Sequence, residues 1–215
     1  MTDYTLILGN KTYSSWSLRG WLLARQAGIA FKEVVIPLRR PDTRAQILHY
    51  SPAGKVPTLL ADGEAVWDSL AIAEYLAETY PAQGLWPSDP AARRLARCVA
   101  AEMHAGFAAL RSALPMDLSK HHPGHPISPE VQADIARIEA IWRDCRGRFG
   151  KAGDFLFGAF SAADAFYAPV VTRFRTYDVT LDAVSEAYCE AVTGHPWMRE
   201  WAADAAKETW VIEFG

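Results

Sequence analysis

The sequence predicts an α/β domain of order β-α-β-α-β-β-α followed by an all-α domain. Three observations carry that reading. Short β-rich runs alternate with helical patterns over residues 1–80. Asp62-Gly63 sits between two apolar runs, a strong hairpin signal. Beyond residue 90 the apolar side chains recur at helical spacing.

Taken in order, Tyr4 to Leu8 is a short apolar strand, and Leu18 to Ala27 has Leu18, Trp21, Leu22 and Arg25 at helical spacing. Phe31 to Leu38 is β-rich, and Pro37 and Pro41 mark its end. Thr43 to Tyr50 reads as a short helix. Thr58 to Leu60 and Ala65 to Trp67 are the hairpin strands, and Ser69 to Thr79 closes the domain as a helix. Residues 81–90, PAQGLWPSDP, form the linker, with Ser88 or Asp89 available to cap the next helix. Residues 91–215 make the helical domain. Within it Val131, Ile135, Ile138, Trp142, Cys145 and Phe149 mark one buried face. Ser161-Ala162-Ala163-Asp164 has the form of a capping box ahead of the apolar helix Ala165 to Phe174. Pro196 opens a last helix through Trp201.

Composition narrows the function classes. The 215 residues are half hydrophobic, enough for a substantial core. A formal net charge of -3 argues against a nucleic-acid partner. No window is apolar for the ~18 residues that a membrane span needs. MTDYTLILGNKTY lacks the basic region of a secretion signal, so a cytoplasmic protein is expected. Cys98, Cys145 and Cys189 are widely spaced, which reads as buried reduced thiols and not a disulfide framework or zinc site. His121, His122 and His125 share a polar, proline-rich loop, and no metal is assigned to them.

The densest stretch is Ser51 to Leu76. Pro57 precedes an apolar run, where a proline leaves a neighbouring backbone group free to pair with an extended peptide-like ligand. Asp68-Ser69 opens a helix, whose unpaired N–H groups favour an anion.

SPAGKVPTLL followed by WDSLAIAEYL resembles the glutathione-binding half of the cytosolic glutathione S-transferase family, serine-type and bacterial-like, with looser similarity to the zeta and tau classes. The resemblance is most specific in residues 1–80 and reaches Ser161 and Asp164 in the second domain. It implies a thioredoxin-like first domain with a cis proline at Pro57. It also implies glutathione as co-substrate, a small hydrophobic electrophile, a detoxifying role and a homodimer.

Such chemistry needs a thiolate, and a free thiol has a pKa of ~8.5. A hydroxyl donor beside a helix N-terminus favours the ionised sulfur. The turn Lys11 to Arg19 holds five hydroxyls, on Thr12, Tyr13, Ser14, Ser15 and Ser17. The family's spacing, with the active residue five positions before an arginine, implies Ser14. Ser15, one step nearer the helix and standing where the family has proline, is the runner-up, and Tyr13 is the third choice because other classes of the family use tyrosine. On residue physics alone, serines ahead of a helix are caps. By the same resemblance Val56 pairs with the cysteinyl backbone, Ser69 takes the γ-glutamyl carboxylate, Asp68 faces its amine, and Lys55 or Arg40 meets the glycyl carboxylate. Read without the family, Lys55 is a solvated cation and Asp68 a helix cap. Trp16, Met103, Phe107 and Leu110 are the candidates for the acceptor site, with ordinary helix packing as their other reading.

The leading function is a glutathione transferase that directs the bound thiolate at a hydrophobic electrophile. A glutathione-dependent isomerase of the maleylacetoacetate type is the alternative, because Ser14-Ser15-Trp16 loosely echoes that turn. A transferase-like binding protein without turnover is the third.

Overall fold

The computed structural model describes residues 2–213, and these divide into two compact units. One unit runs to Leu85 and takes in the chain from Trp201 onward; the other is Trp86–Glu200.

The first unit has a four-stranded sheet in the order β2-β1-β3-β4. Its elements are β1 (Tyr4–Gly9), α1 (Ser15–Gln26), β2 (Phe31–Ile36), α2 (Thr43–Leu48), β3 (Thr58–Ala61), β4 (Glu64–Val66) and α3 (Ser69–Thr79). β1 runs parallel to β2 and antiparallel to β3, and β3 turns back into β4. The parallel pair needs a crossover, which α1 supplies. The tight turn uses Asp62 and Gly63, both in the left-handed region at φ 50° and 88°, as a two-residue hairpin requires. This is the expected element order. α1 begins at Ser15, earlier than the apolar pattern suggested, because its first turn is made of serines.

Leu6, Ile7 and Leu8 of the central strand have no exposed surface. Successive side chains point to opposite faces. Ile7 joins Ile36 and Ile47 of α2 in one apolar cluster, edged by Val34, Leu38, Tyr50, Val56 and Leu60. α1 and α3 pack against each other, burying Leu18 and Leu22 of one and Ile72 and Leu76 of the other. Gly20 of α1 lies hard against the start of β3. A Cβ there would meet the Pro57 ring at 2.7 and 2.8 Å.

The C-terminal segment belongs to this unit, although the sequence assigned it to the helical domain. Trp201 Nε1 donates to Lys11 O at 2.9 Å, and its ring meets Trp21 edge-on at 5.5 Å. The Lys11 ammonium lies against both indoles and pairs with Glu33 at 2.7 Å and Asp204 at 2.8 Å. Glu208 accepts from Lys11 N, Thr12 N and Thr12 Oγ1 at 2.6, 2.9 and 2.8 Å. Burial pulls the Lys11 pKa down, but hydrogen bonds and charge from Asp204 and Glu33 outweigh it and raise the pKa overall. The hydrogen bonds from Lys11 and Lys207 lower that of Asp204.

The second unit holds α4 (Pro90–Ala105), α5 (Ala108–Ala113), α6 (Pro129–Phe149), α7 (Ala162–Thr176) and α8 (Ala183–Gly194). α9 (Pro196–Ala205) carries the chain out of it. Asp89 caps α4 through Ala92 N, and Asp182 caps α8 through Ser185 N. α7 is buried along almost its whole length and packs on α4, where Tyr167 Oη donates to Val99 O. Trp142 of α6 fills the centre, edge-on to Tyr167, Phe174 and Tyr188. The expected α6 face is buried from Val131 to Cys145, while Phe149 is half-buried. Asp164 lies fully buried at the start of α7. Its carboxylate accepts from Ser161 N and Oγ, Leu156 N and Tyr188 Oη. Burial nevertheless pushes its pKa up to about 6.

The histidine loop is largely exposed, as its composition implies, and is anchored at two points. His122 N donates to Thr176 O, its ring stacks on Tyr177, and His121 pairs with Asp178 at 2.8 Å.

Replacing Lys11 with methionine leaves Glu33 and Asp204 facing each other. These carboxylates are about a third exposed (29 and 35 %), so the expected loss is about 2–3 kcal/mol, below that for a fully buried pair. The stabilisation linked to Asp204 is present above the unfolded carboxylate pKa of ~3.9. It is lost as pH falls through the lower folded value. The gap between wild type and Lys11→Met in urea unfolding should therefore be full at neutral pH and shrink below about pH 4.

Candidate functional site

The site is built on the turn between β1 and α1. Asn10 O accepts from Tyr13 N at 3.2 Å and Ser14 N at 2.8 Å, which folds the chain back toward the helix start. Asn10 Oδ1 accepts from Leu38 N at 2.7 Å and ties the turn to the end of β2. Glu208 holds the turn's other side through Lys11 and Thr12. Ser14 is the N-cap of α1. Its Oγ accepts from Ser17 N at 3.2 Å and lies 2.8 Å from Ser17 Oγ. Ser15 is the first residue of the helix, 7 % exposed, and its hydroxyl has no hydrogen bond among the described residues.

Beside this turn is a cavity of about 720 Å³. Its walls are Trp16 of α1, Leu38 and Arg39 after β2, Thr43 and Ile47 of α2, the run 53–57, and Trp67 with Asp68 ahead of α3. The Arg19 guanidinium stacks on the Trp16 ring at 4.5 Å. Trp67 stands 43 % exposed. The Val56–Pro57 bond is cis, as is Trp67–Asp68. Lys55 is exposed, and its carbonyl accepts from Thr58 Oγ1 at 3.1 Å.

α3 opens at the cavity wall. Asp68 is its N-cap, with Oδ1 accepting from Leu70 N at 3.0 Å. Ser69 follows, fully buried, and its Oγ has no hydrogen-bond partner among the described residues. A buried hydroxyl left without a partner costs about 1–3 kcal/mol, so a group that reached Ser69 Oγ would recover that cost.

The structure thus brings Trp16, Lys55, Val56, Pro57 and Asp68 to one cavity, with Ser69 directly behind Asp68. Ser14 and Ser15 lie two residues and one residue before Trp16 in the chain. Arg40 lines a different cavity of about 460 Å³, walled by residues 38–41 and 210–213. Phe214 and Gly215, at the end of the apolar tail, lie outside the described residues. Met103 and Leu110 have no exposed surface and Phe107 has 8 %, all within the helical unit. Sequence reasoning missed Leu38, Arg39, Ile47 and Trp67. Arg39 had a signal, as half of an arginine pair after a strand-ending proline. Its φ of 57° turns it away from its neighbour's path.

The cysteines take no part in the site. Cys145 and Cys189 are buried, and desolvation pushes both thiols up to about 12. Cys98 is exposed, which corrects the expectation that all were buried. No group of His, Cys, Asp or Glu among the described residues is arranged to hold a metal ion. No helix among them is long and apolar enough to cross a membrane.

Comparison with known proteins places this geometry. Residues 13–79 match the family described as "Glutathione S-transferase, N-terminal domain", and residues 128–204 match "Glutathione S-transferase, C-terminal domain". A probable maleylacetoacetate isomerase of Caenorhabditis elegans is 34% identical over 158 residues, 72% of this chain and 73% of that protein. Maleylacetoacetate isomerase of Rhizobium meliloti is 32% identical over 191 residues, 79% and 82% of the two chains. Among solved structures, a glutathione transferase homologue from Burkholderia GL BGR1 with bound glutathione aligns at TM-score 0.74 and 21% identity, covering 96% of this chain and 100% of that one. A bacterial maleyl pyruvate isomerase of the zeta class aligns at TM-score 0.72 and 20% identity, with the same coverage.

The buried thiols give a simple check. Ellman's reagent should modify one cysteine, Cys98, in the native protein and all three after denaturation. Rapid reaction of a second native thiol would place Cys145 or Cys189 in contact with solvent.

Proposed function

Because the chain belongs to the glutathione S-transferase family, we propose that its cavity binds glutathione and that Ser14 holds the sulfur as thiolate. The observation that carries this reading is Ser69. Its hydroxyl is buried and partnerless at the N-terminus of α3, where a carboxylate would complete its hydrogen bonding and meet the helix's unpaired N–H groups. The γ-glutamyl carboxylate binds there, and Asp68 meets the γ-glutamyl amine. The cysteinyl backbone runs along Val56. Lys55 meets the glycyl carboxylate, and Arg39 shares that cavity where Arg40 does not.

The thiol loses its proton to solvent, and the Ser14 O–H donates to the sulfur anion. In a displacement the S–C bond forms as the leaving group departs with its electron pair. In an addition the electron pair passes to the acceptor, which takes a proton from water. Trp16 supplies apolar surface on the acceptor side. Proximity and thiolate stabilisation supply the rate.

An isomerase reading is favoured by the maleylacetoacetate isomerases among the relatives. There the thiolate adds to a cis double bond, the resulting single bond rotates, and departure of the sulfur restores the double bond as trans. The protein is read as a cytosolic homodimer acting on a small electrophile.

Retention on immobilised glutathione tests the binding, and assays with a chloronitrobenzene, an organic peroxide and maleylacetone separate the reactions. Ser14→Ala should lower kcat about ten- to a hundredfold, the worth of one hydrogen bond to a charged group, with glutathione affinity kept. A loss in Ser15→Ala instead moves the donor one residue along. Ser69→Ala should weaken glutathione binding about tenfold while leaving the stability of the free protein unchanged or slightly raised. Lowered stability of the free variant would show that Ser69 already has a partner.

A further inference from the structure

The cavity of about 460 Å³ has no part in the function above. Its walls are Leu38 to Pro41 after β2 and Trp210 to Glu213 of the C-terminal segment, all in the first unit. Leu38 and Arg39 also line the larger cavity, so the two cavities share a wall. Small-ligand sites usually measure about 300–1,000 Å³, and this cavity is within that range.

The shared wall is the glycyl end of the glutathione site, where Lys55 and Arg39 stand. A peptide that continued past the glycine would leave the larger cavity there and enter the smaller one. Each added residue carries an extended chain on by about 3.3–3.6 Å, and adjacent Cα atoms are about 3.8 Å apart. One residue added to the ligand thus matches the step from Arg39 to Arg40.

Charge and backbone narrow the ligand class. Arg39 and Arg40 are exposed, and Glu213 is the single acid in that wall among the described residues. Arg39 Nη1 donates to Glu213 O at 3.2 Å, whereas the Arg40 guanidinium has no hydrogen bond or ion pair among the described residues. A guanidinium fork suits a carboxylate. Across from the arginines, Trp210, Val211 and Ile212 lie outside any helix or strand. Their backbone groups make no hydrogen bond among the described residues. An added peptide unit has partners to pair with there, which favours a longer peptide over a free anion.

We propose that the smaller cavity is a subsite for thiol peptides longer than glutathione, extended past the glycine by an acidic residue whose side chain meets Arg40. This rests on the reading of the larger cavity as the glutathione site, and it names a wider substrate class for that site. The tripeptide itself ends at the shared wall and does not need Arg40.

Calorimetry on the full chain tests the subsite with four ligands. These are glutathione and three synthetic tetrapeptides, glutathione extended at its glycine by glutamate, glutamine or lysine. The glutamate peptide should bind about three- to fivefold tighter than the glutamine peptide, which has the same size and shape, and the lysine peptide should bind weakest. High salt should reduce that preference. In Arg40→Ala the glutamate and glutamine peptides should bind alike, with the Kd of glutathione unchanged. Equal affinity of those two peptides for the wild type overturns the subsite, as does a preference that survives Arg40→Ala. Weaker binding of glutathione itself by Arg40→Ala would put that side chain in the larger cavity and overturn it too. If the wild type binds none of the four ligands, the function above fails and the subsite with it. If it binds glutathione and rejects all three tetrapeptides, the glycyl end is closed and only the subsite fails.

Discussion

The close approach of Gly20 to Pro57 fixes the distance between the two halves of the site. One half is the serine turn at the head of α1; the other is the run from Lys55 into β3. Only a residue without a side chain lets the helix sit on the proline ring, since a Cβ would fall inside van der Waals contact of two ring carbons. The helix axis is set by that contact, and Trp16 takes its place in the cavity wall from the same helix. The hydroxyls at its start and the backbone at Val56 thus belong to one packed unit, so their geometry is inherited from core packing and not from loop conformation.

The turn is then held by polar groups from three directions. Asn10 reaches the end of β2, Ser17 reaches back to Gly9, and Glu208 grips two consecutive N–H groups from the C-terminal segment. The Lys11 ammonium adds ion pairs with Glu33 and Asp204 while lying against two indole rings. Rigid support of this kind is what a hydroxyl needs to hold an anion at one distance, because reorganisation would cost part of the stabilisation.

Much of this was legible in the residues, for identifiable reasons. Asp62-Gly63 announced its hairpin because both positions adopt backbone angles that few residue pairs tolerate. Ser69 to Thr79 was placed to the residue because an acidic cap precedes a clean apolar stripe. Other features have no local signature. α1 starts at Ser15 because Ser14 spends its side chain on the cap, and a row of serines does not reveal which of them is the cap. The exposure of Cys98 depends on which face of α4 packs inward. The attachment of Trp201, Asp204 and Glu208 to residues 11–12 spans nearly the whole chain, and no periodicity encodes a contact at that separation. Arg39 and Arg40 read alike in sequence, yet Arg39, with a left-handed backbone, lines both cavities and Arg40 only the smaller one.

That long-range attachment bears on how the molecule is made. During vectorial synthesis, residues up to Leu85 are translated before the whole of Trp86–Glu200, and Trp201 follows only after it. The strands can pair by then, but Lys11 and the N–H groups of residues 11–12 still lack their acidic clasp. The nascent first unit therefore waits, sheet formed and serine turn unfastened, until Glu208 clears the exit tunnel.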